Sequence, residues 1–461
     1  MSNQALIDLV TEYEAMLEQG ESLFLDQNAY RHLIDHYLSE EIFDRAMEVV
    51  ERAIDCHSYT VEFLLRKAEV LIQANQEYLA LEVLTQAEIL APNEPEILLV
   101  RAQALTYLGE HQAAHEQLGY LPDELDPNVL AESHFVRALI YEHQQEYEAM
   151  YLALKAAVIY DSEMRHGLEK IMTAVQHVRN YEECVTLHEQ IIDENPYSCV
   201  AWYNLGLCHT HLGNYEDALE ALEFAYLADD TYELAYRERA DLAFELQRYP
   251  LTFDICEEIQ DNFGADADLL LRMGQCQLQM SHPQAAKSFL KKALELENHH
   301  DEVFYHLGEI AIGEQQWELA AHYCKKAIEI DDNREEYHAS LAQAYAQLDE
   351  LELAETHYCL ATDIAPEAAE YWLQYALFLM LTGQEDGALE ILDMAEESTV
   401  SPELSYCRIA CLFRMGDRQE ALLQLSEVLE DEYASHELLF DMMPELRRDA
   451  AVLSLVKALE Q

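Results

Sequence analysis

The residues of this sequence that are best suited to metal chemistry are 20 histidines and ten cysteines. His32 and His36 are four residues apart with Asp35 between them, which can place potential metal ligands on one face of a helix. Two further groups of potential ligands are His209 with His211, and His299 with His300 and Asp301. With 20 histidines in a helical chain, some such groups arise by chance. We therefore predict no metal site and no cofactor.

Four of the ten cysteines recur at equivalent places in the sequence. No C-x2-C pair occurs, whereas Cys208 and Cys276 are 68 residues apart, as are Cys256 and Cys324. Recurrence at a fixed interval is typical of small hydrophobic packing residues. We expect free thiols in a reducing compartment.

Motifs that would indicate catalysis are absent from the sequence. It contains no phosphate-binding G-x4-G-K-[ST] loop, no G-x-S-x-G nucleophile elbow and no H-E-x-x-H zinc motif. We therefore predict no catalytic residues and a protein that is not an enzyme.

Charge excludes two classes of partner. The 461 residues include 90 acids and 27 Lys and Arg, a formal net charge of −63. Phosphate groups need clustered bases, so we expect no nucleic-acid binding and no binding to anionic membrane surfaces. The most apolar run, residues 375–381, is too short to cross a bilayer, and the N-terminal residues lack the basic region of a signal peptide. The predicted location is the cytoplasm.

The elements that must position these residues are helices arranged in repeats. Trp202, Leu205 and Gly206 have the W-x2-L-G spacing of the first helix of a tetratricopeptide repeat. Ala218 stands at the small position of the second helix, and Pro196 ends the preceding repeat.

Small residues recur in step, almost always 34 residues apart. The exception is a two-residue insertion within 121–128. In the first helix the recurring residues are Ile34, Ala68, Ala102, Ala138, Met172, Gly206, Ala240, Gly274, Gly308, Ala342, Ala376 and Ile409 or Ala410. In the second helix they are Ala46, Ala80, Ala114, Ala218, Ala286, Ala320, Ala354, Ala388 and Ala421. A third set is Ala53, Ala87, Ala157, Ala225, Ala293, Ala327, Ala361 and Ala395. Gly109, Gly213, Gly383 and Gly416 occupy the turn between the helices, where we predict left-handed caps.

On these residues the chain resembles the tetratricopeptide repeat family, and in particular long bacterial members without a catalytic domain. The resemblance implies an all-α fold, an α-solenoid in which about twelve helix-turn-helix repeats form a right-handed superhelix. We assign residues 1–26 to an N-terminal capping helix, 27–435 to the repeat array and 436–461 to C-terminal capping helices. The predicted repeats begin at residues 27, 61, 95, 131, 165, 199, 233, 267, 301, 335, 369 and 402.

The family resemblance also implies where a partner binds. First helices line a concave groove through repeat positions 2, 5, 6, 9, 12 and 13, counted from the start of each repeat. Our candidate partner-binding residues at position 5 are Leu65, Leu99, Phe135, Tyr203, Arg237, Leu271, Tyr305, Leu373 and Tyr406. Apolar and aromatic side chains in a row would suit a partner segment. Alternatively, they pack against the neighbouring first helix, and both can hold.

Two binding modes known in the family are not supported by the residues here. A carboxylate clamp needs a base at position 5 followed by Asn at position 9, but Arg31 and Arg237 are followed by Asp35 and Asp241. A ladder of Asn at position 6 is represented by Asn204 alone. The groove also has six bases, Arg31, Arg66, Lys170, Arg237, Arg272 and Arg414, among its acids. Its charge is therefore nearly balanced.

These patterns predict a non-enzymatic scaffold or adaptor that binds a protein or peptide segment in the groove. The alternative is a regulatory or chaperone-like accessory protein whose array changes shape on binding. Self-association is possible but is not predicted. Two explanations of the acidity stay open: it steers basic partners, or it keeps the chain soluble in a salty cytoplasm.

The repeat register can be tested at Ala218. We expect Ala218→Trp to unfold the array around the sixth repeat. A large side chain at a close helix crossing is overpacked, which destabilises the fold by about 1–3 kcal/mol. Thermal melting followed by circular dichroism measures this, and an unchanged melting curve would show that the register is wrong.

Overall fold

The computed structural model describes residues 3–19, 25–57, 60–92, 94–122 and 125–458. Within these ranges the regular structure comprises 27 α-helices and two short 3-10 helices, with no strand. The predicted all-α fold is therefore confirmed. The chain divides into two compact units, residues 1–242 and 243–461.

The first unit contains one N-terminal helix followed by consecutive helix pairs. The helices are α1 (Asn3–Gln19), α2 (Gln27–Ser39), α3 (Phe43–Cys56), α4 (Val61–Gln73), α5 (Glu77–Leu90), α6 (Pro95–Tyr107), α7 (His111–Gly119), α8 (Pro127–His143), α9 (Tyr147–Tyr160), α10 (Arg165–Val178), α11 (Tyr181–Glu194), α12 (Cys199–Leu212), α13 (Tyr215–Ala228) and most of α14 (Glu233–Glu245).

The second unit continues the helix pairs and ends in shorter helices. These are α15 (Tyr249–Phe263), α16 (Ala267–Gln279), α17 (Pro283–Leu296), α18 (Asp301–Gly313), α19 (Trp317–Ile330), α20 (Glu335–Gln347), α21 (Leu351–Ile364), α22 (Ala369–Leu381), α23 (Glu385–Glu396), α24 (Pro402–Met415), α25 (Arg418–Asp431), α26 (Glu437–Met442) and α27 (Ala450–Ala458). The 3-10 helices are Tyr433–Ser435 and Pro444–Arg448.

Small residues form the close crossing within each helix pair. A Cβ added to Gly206 would lie 2.7 Å from Cγ of Leu222, and one added to Gly308 would lie 2.8 Å from Sγ of Cys324. Every alanine of the second and third recurring sets is fully buried. The helices therefore approach too closely for larger side chains at these places, as the spacing predicts.

The turn inside each helix pair contains one residue in the left-handed region. Gly109, Gly213, Gly383 and Gly416 have φ of 76° to 85°, which confirms the predicted caps. Eight other turns use a residue with a side chain: Glu41, Asn75, Gln145, Arg179, Gln247, Ser281, Gln315 and Asp349, with φ of 56° to 64°. Four glycines and eight other residues give twelve such turns in the described ranges, one for each predicted repeat.

The fourth repeat begins earlier than predicted. We expected residue 131, but α8 starts at Pro127 and has 17 residues. Proline is favoured in the first helical turn, and the Asp126 side chain accepts a hydrogen bond from the Asn128 amide at 3.0 Å. The insertion is therefore used partly to extend this helix.

Ion pairs connect a first helix to the second helix of the preceding repeat. A base at position 7 contacts an acid there in Lys67–Glu51 and Arg101–Glu88, both at 2.8 Å, in Arg239–Glu223, and in Arg408–Asp393 at 2.7 Å. The Arg239 side chain is only 11% exposed. Solvent therefore screens this ion pair less than it screens an ion pair at the surface.

The ends of the array are packed against neighbouring helices. In α1, Tyr13 is buried and its ring lies 6.4 Å from that of Tyr37 in α2. At the other end Phe440, Val452 and Val456 are buried in the cluster that includes α24 and α25. No helix in the described part of the chain is long and apolar enough to span a lipid bilayer.

The left-handed turns yield a matched pair of substitutions. We expect Gln315→Gly to stabilise its helix pair by about 0.5–1 kcal/mol, because glycine adopts positive φ without steric cost. We expect Gly213→Ala to destabilise its pair by about 1 kcal/mol, because no atom crowds the new Cβ and only backbone strain changes. Hydrogen exchange of α18–α19 and α12–α13 measures both, and equal protection in both variants and the wild type would contradict the argument.

Candidate functional site

Three of the candidate position-5 residues are buried in the core. Leu99 and Leu271 are each 6% exposed, and Tyr406 is 0% exposed. The Tyr406 hydroxyl donates to the backbone oxygen of Glu432 at 2.9 Å, and burial raises the pKa of this phenol to about 12. These three side chains therefore pack in the core, as the packing alternative predicts, and their role as partner contacts stays a prediction.

The other apolar candidates are half-buried. Leu65 and Leu373 pack against hydrophobic clusters of their own units. Phe135 makes an edge-to-face contact with His166, with ring centres 4.4 Å apart, and therefore also packs on a neighbour.

Two tyrosine candidates are held by aromatic neighbours. The Tyr203 ring lies edge-on to Tyr232 at 5.5 Å, and burial raises its pKa to about 12. The Tyr305 ring lies 5.0 Å from Tyr337, and its hydroxyl donates to Oε1 of Glu309 at 3.2 Å. Burial is the main cause of the raised pKa of Tyr305. Both tyrosines are therefore half-buried and packed against an aromatic neighbour.

Bases predicted for the groove are held by acids, mostly in a neighbouring helix. Arg31 bonds Glu62, and Nζ of Lys170 bonds Glu142 at 2.7 Å. The remaining contacts are Arg66 with Asp35 at 3.4 Å and with Glu69 at 3.0 Å, Arg237 with Glu233 at 2.6 Å, and Arg414 with Glu385 at 3.3 Å. Ion pairs of Arg31, Arg66, Lys170 and Arg414 therefore join neighbouring helices.

A large cavity lies in the second unit, on the side formed by first helices. It has a volume of about 580 Å³ and is lined by residues of α14, α16 and α18 and by Pro283 of α17. Phe244, Leu278, Pro283 and Ile310 supply apolar surface. The remaining lining residues are Gln275, Gln279, His306, Glu309, Gly313 and Glu314.

Hydrogen bonds fix the polar part of this cavity, which we call the first cavity. His306 contacts Oε2 of Glu309 through Nδ1 at 2.8 Å and Nε2 of Gln275 through its own Nε2 at 3.1 Å. Because a carboxylate oxygen can only accept, the contact to Glu309 places a proton on Nδ1 of His306. Glu309 thus accepts from His306 and Tyr305, and both donors hold its carboxylate at the cavity.

Two further charged groups contact residues of the cavity lining. The Arg272 guanidinium lies over the Phe244 ring, 4.3 Å from its centre. Glu314 accepts from Nζ of Lys287 at 3.0 Å and from Nε2 of Gln284 at 2.7 Å. The bond from Lys287 is the main cause of the lowered pKa of Glu314, and this carboxylate already forms an ion pair with Lys287.

An equivalent cavity, the second cavity, occurs two repeats later. It has a volume of about 370 Å³ and is lined by Gln343, Ala346, Gln347, Tyr358, Gln374, Leu377, Phe378 and Leu381. Gln343 and Gln347 lie 68 residues after Gln275 and Gln279, so both cavities have glutamine at positions 9 and 13. Leu381 is 81% exposed and leaves an apolar surface beside this cavity.

Our choice of position 5 missed these two cavities. They are lined mainly by positions 6, 9, 10, 12 and 13, and no position-5 residue lines either of them. A sequence signal existed in the repetition of Gln-x3-Gln at 275–279 and 343–347. Residues four apart lie on the same face of a helix, so this repetition predicts a shared surface.

Asn204 lies in a buried network and not on an open surface. It is 2% exposed, and its Nδ2 donates to the backbone oxygen of Leu168 at 2.7 Å. The same nitrogen lies 3.1 Å from Nε2 of His188, whose Nδ1 contacts the backbone oxygen of Cys184 at 2.8 Å. Burial lowers the pKa of His188 to about 4. The network therefore connects α10, α11 and α12 with a neutral imidazole.

The cysteines and histidines show no arrangement for metal binding where the structure describes them. All ten cysteines are free thiols, and eight of them are buried. No group of three or more His, Cys, Asp or Glu side chains in the described ranges is placed to hold a metal ion. His300, one of the sequence candidates, contacts Asp268 at 3.1 Å through Nε2.

Comparison with known proteins assigns the family. Three family models, each described as tetratricopeptide repeat, match residues 189–220, 278–344 and 335–367. With the consecutive helix pairs, these matches show that the chain is a tetratricopeptide repeat protein. No curated protein matches the sequence.

The solved structures that resemble this chain do so with low sequence identity and low TM-scores. YrrB, described as a TPR protein with an unusual peptide-binding site, is 20% identical, with a TM-score of 0.34 over 40% of this chain and 95% of its own. The Cut9–Hcn1 hetero-tetramer of APC/C is 12% identical, with a TM-score of 0.38 over 95% of this chain and 97% of its own. MamA from Desulfovibrio magneticus RS-1 is 19% identical, with a TM-score of 0.33 over 36% and 93%.

The His188 network predicts a local dependence on pH. The pKa of His188 falls from 6.5 to about 4 in the folded chain, so between these values the unfolded state binds more protons. Its stabilising contribution is complete above pH 6.5 and decreases as the pH falls towards 4, by about 3 kcal/mol in total.

The measurement is hydrogen exchange of α11 and α12 in the wild type and in His188→Gln. At pH 7 the amides of the variant should be less protected from exchange than those of the wild type, because the variant loses the imidazole from a buried network. The difference in protection between the two proteins should be smaller at pH 5. A difference that is the same at both pH values would contradict a buried neutral His188.

Proposed function

We propose that this protein is a non-enzymatic scaffold or adaptor that binds an extended segment of a partner protein on the surface formed by its first helices. The observation that supports this most is the first cavity, which combines an apolar wall with side-chain amides at Gln275 and Gln279. An apolar pocket with a few fixed polar groups is the usual form of a binding site.

The polar groups suit a peptide. A glutamine side chain both donates and accepts hydrogen bonds, as a peptide backbone does. Apolar side chains of a partner would fill the space between Phe244, Leu278 and Ile310, and burying such a side chain is worth about 1.5–3 kcal/mol. Nucleic acid is a poor partner for a chain with a net charge of −63.

The remaining parts of the chain support this role. We propose that residues 1–26 and 436–461 cap the array of 27–435, since the described parts of both ends bury apolar side chains against it. Ten free thiols suit a reducing compartment, and we therefore propose a cytoplasmic protein.

Gly313 offers a direct test. It lines the first cavity, and a Cβ there has open space within 4 Å, so Gly313→Trp should fill the cavity without disturbing the fold. Gly119 is a matched control, because it also ends a helix and also has open space. We expect affinity capture from lysate by the wild type and by Gly119→Trp to retain the same protein, and capture by Gly313→Trp to lose at least nine-tenths of it.

Equal retention by all three baits would place binding elsewhere on the molecule and contradict this site. If the wild type and Gly119→Trp capture nothing above background, the scaffold proposal itself is wrong. Circular dichroism of the three proteins controls for folding.

A further inference from the structure

We propose that the two cavities bind one extended peptide segment, which carries two large apolar side chains about six residues apart and a Lys or Arg beside the first. This inference rests on the proposed function and specifies its partner. It derives from the shared register of the cavities, the distance between them and one carboxylate that forms no ion pair with a Lys or Arg of the described residues.

The register comes from the repeat. Gln275 and Gln279 in α16 have the same repeat positions as Gln343 and Gln347 in α20. The two glutamines of each pair are one helical turn apart, and each pair borders an apolar cavity. A repeated polar pair beside a repeated apolar cavity is the arrangement needed to hold backbone amides while alternate side chains enter the cavities.

The distance follows from helix packing. Neighbouring first helices α16, α18 and α20 contact one another in sequence, and packed helix axes are about 8–10 Å apart. Two repeats therefore separate the cavities by about 16–20 Å. A chain that rises about 3.3 Å per residue as a strand, or 3.1 Å as polyproline II, covers this with about six residues.

Six residues also give the correct side-chain direction. Side chains of a strand return to the same face every two residues, and those of polyproline II every three. Because six is a multiple of both, residues i and i+6 face the same side in either conformation. Spacings of five or seven place the two side chains on different sides.

The two cavities differ in the side chains that border their apolar surfaces. The first is bordered by Glu309, which accepts only from Tyr305 and His306 among its described hydrogen-bond contacts and forms no ion pair with a Lys or Arg there. The second is bordered by amides and by the exposed Leu381. A basic residue therefore belongs beside the first apolar side chain of the partner, and the overall charge of −63 favours its approach.

The probes are fluorescent synthetic peptides in a neutral Ser-rich background, titrated with the full chain by anisotropy. Each peptide has one Lys and two Phe separated by five, six or seven positions, and a fourth has a single Phe. We expect the spacing of six to bind at least tenfold more tightly than five or seven, which should resemble the single-Phe peptide.

Variants assign each end of the peptide. Gly313→Trp and Leu381→Gln should each reduce the binding of the six-spaced peptide to the level of the single-Phe peptide. Val400→Gln is the matched control for Leu381→Gln, because Val400 is 90% exposed and lines neither cavity. Glu309→Gln should weaken the Lys peptide at least threefold and leave its Lys→Gln counterpart unchanged.

Equal affinity for all spacings, or loss of binding in Val400→Gln but not in Leu381→Gln, would overturn the two-cavity inference. If the two-cavity inference fails but Gly313→Trp still loses the captured protein, the proposed binding site is supported. Only the proposed spacing of the partner's side chains is then wrong. If Gly313→Trp retains the captured protein, the proposed binding site and the two-cavity inference both fail.

Discussion

The close approach of two antiparallel helices is the contact on which every repeat depends. It requires a residue without a large side chain where the helices cross, and Gly206, Gly274 and Gly308 have no room even for a Cβ without displacing a neighbour. The fully buried alanines of the second helices meet the same requirement. Because this contact recurs, first-helix side chains at equivalent repeat positions have similar surroundings, as Gln275 and Gln343 at position 9 do within the second unit.

Helix pairs, their number and the crossing residues could be predicted because each depends on local spacing. The left-handed turns were predicted only where glycine occupies them, since Gln315 and Asp349 tolerate the same φ without being typical of it. Position 5 was harder to interpret. Whether a side chain such as Tyr406 faces a partner or the core depends on the volume left by the next helices, and this is not visible in the spacing within one repeat.

The contacts of polar residues also depend on packing between repeats and are not visible in the spacing within one repeat. Asn204 and His188 are 16 residues apart and belong to different repeats, so only the packing of α10, α11 and α12 brings them together. The 27 bases of the chain are likewise used partly in pairs between helices, such as Arg101–Glu88 and Lys170–Glu142. The acids exceed these bases more than threefold, and Glu309 is one that stays at a cavity without a Lys or Arg partner in the described part of the chain.

The most direct test of the account is site-specific photocrosslinking with the captured partner. A benzophenone amino acid would replace Gln279 or Gln347, beside the two cavities, or Leu296, an exposed residue of α17 outside both. Mass spectrometry would locate the crosslinks. We expect residues 279 and 347 to crosslink to one short segment of the same partner, and residue 296 not to do so. Crosslinks from 296 alone, or from 279 and 347 to distant parts of the partner, would contradict it.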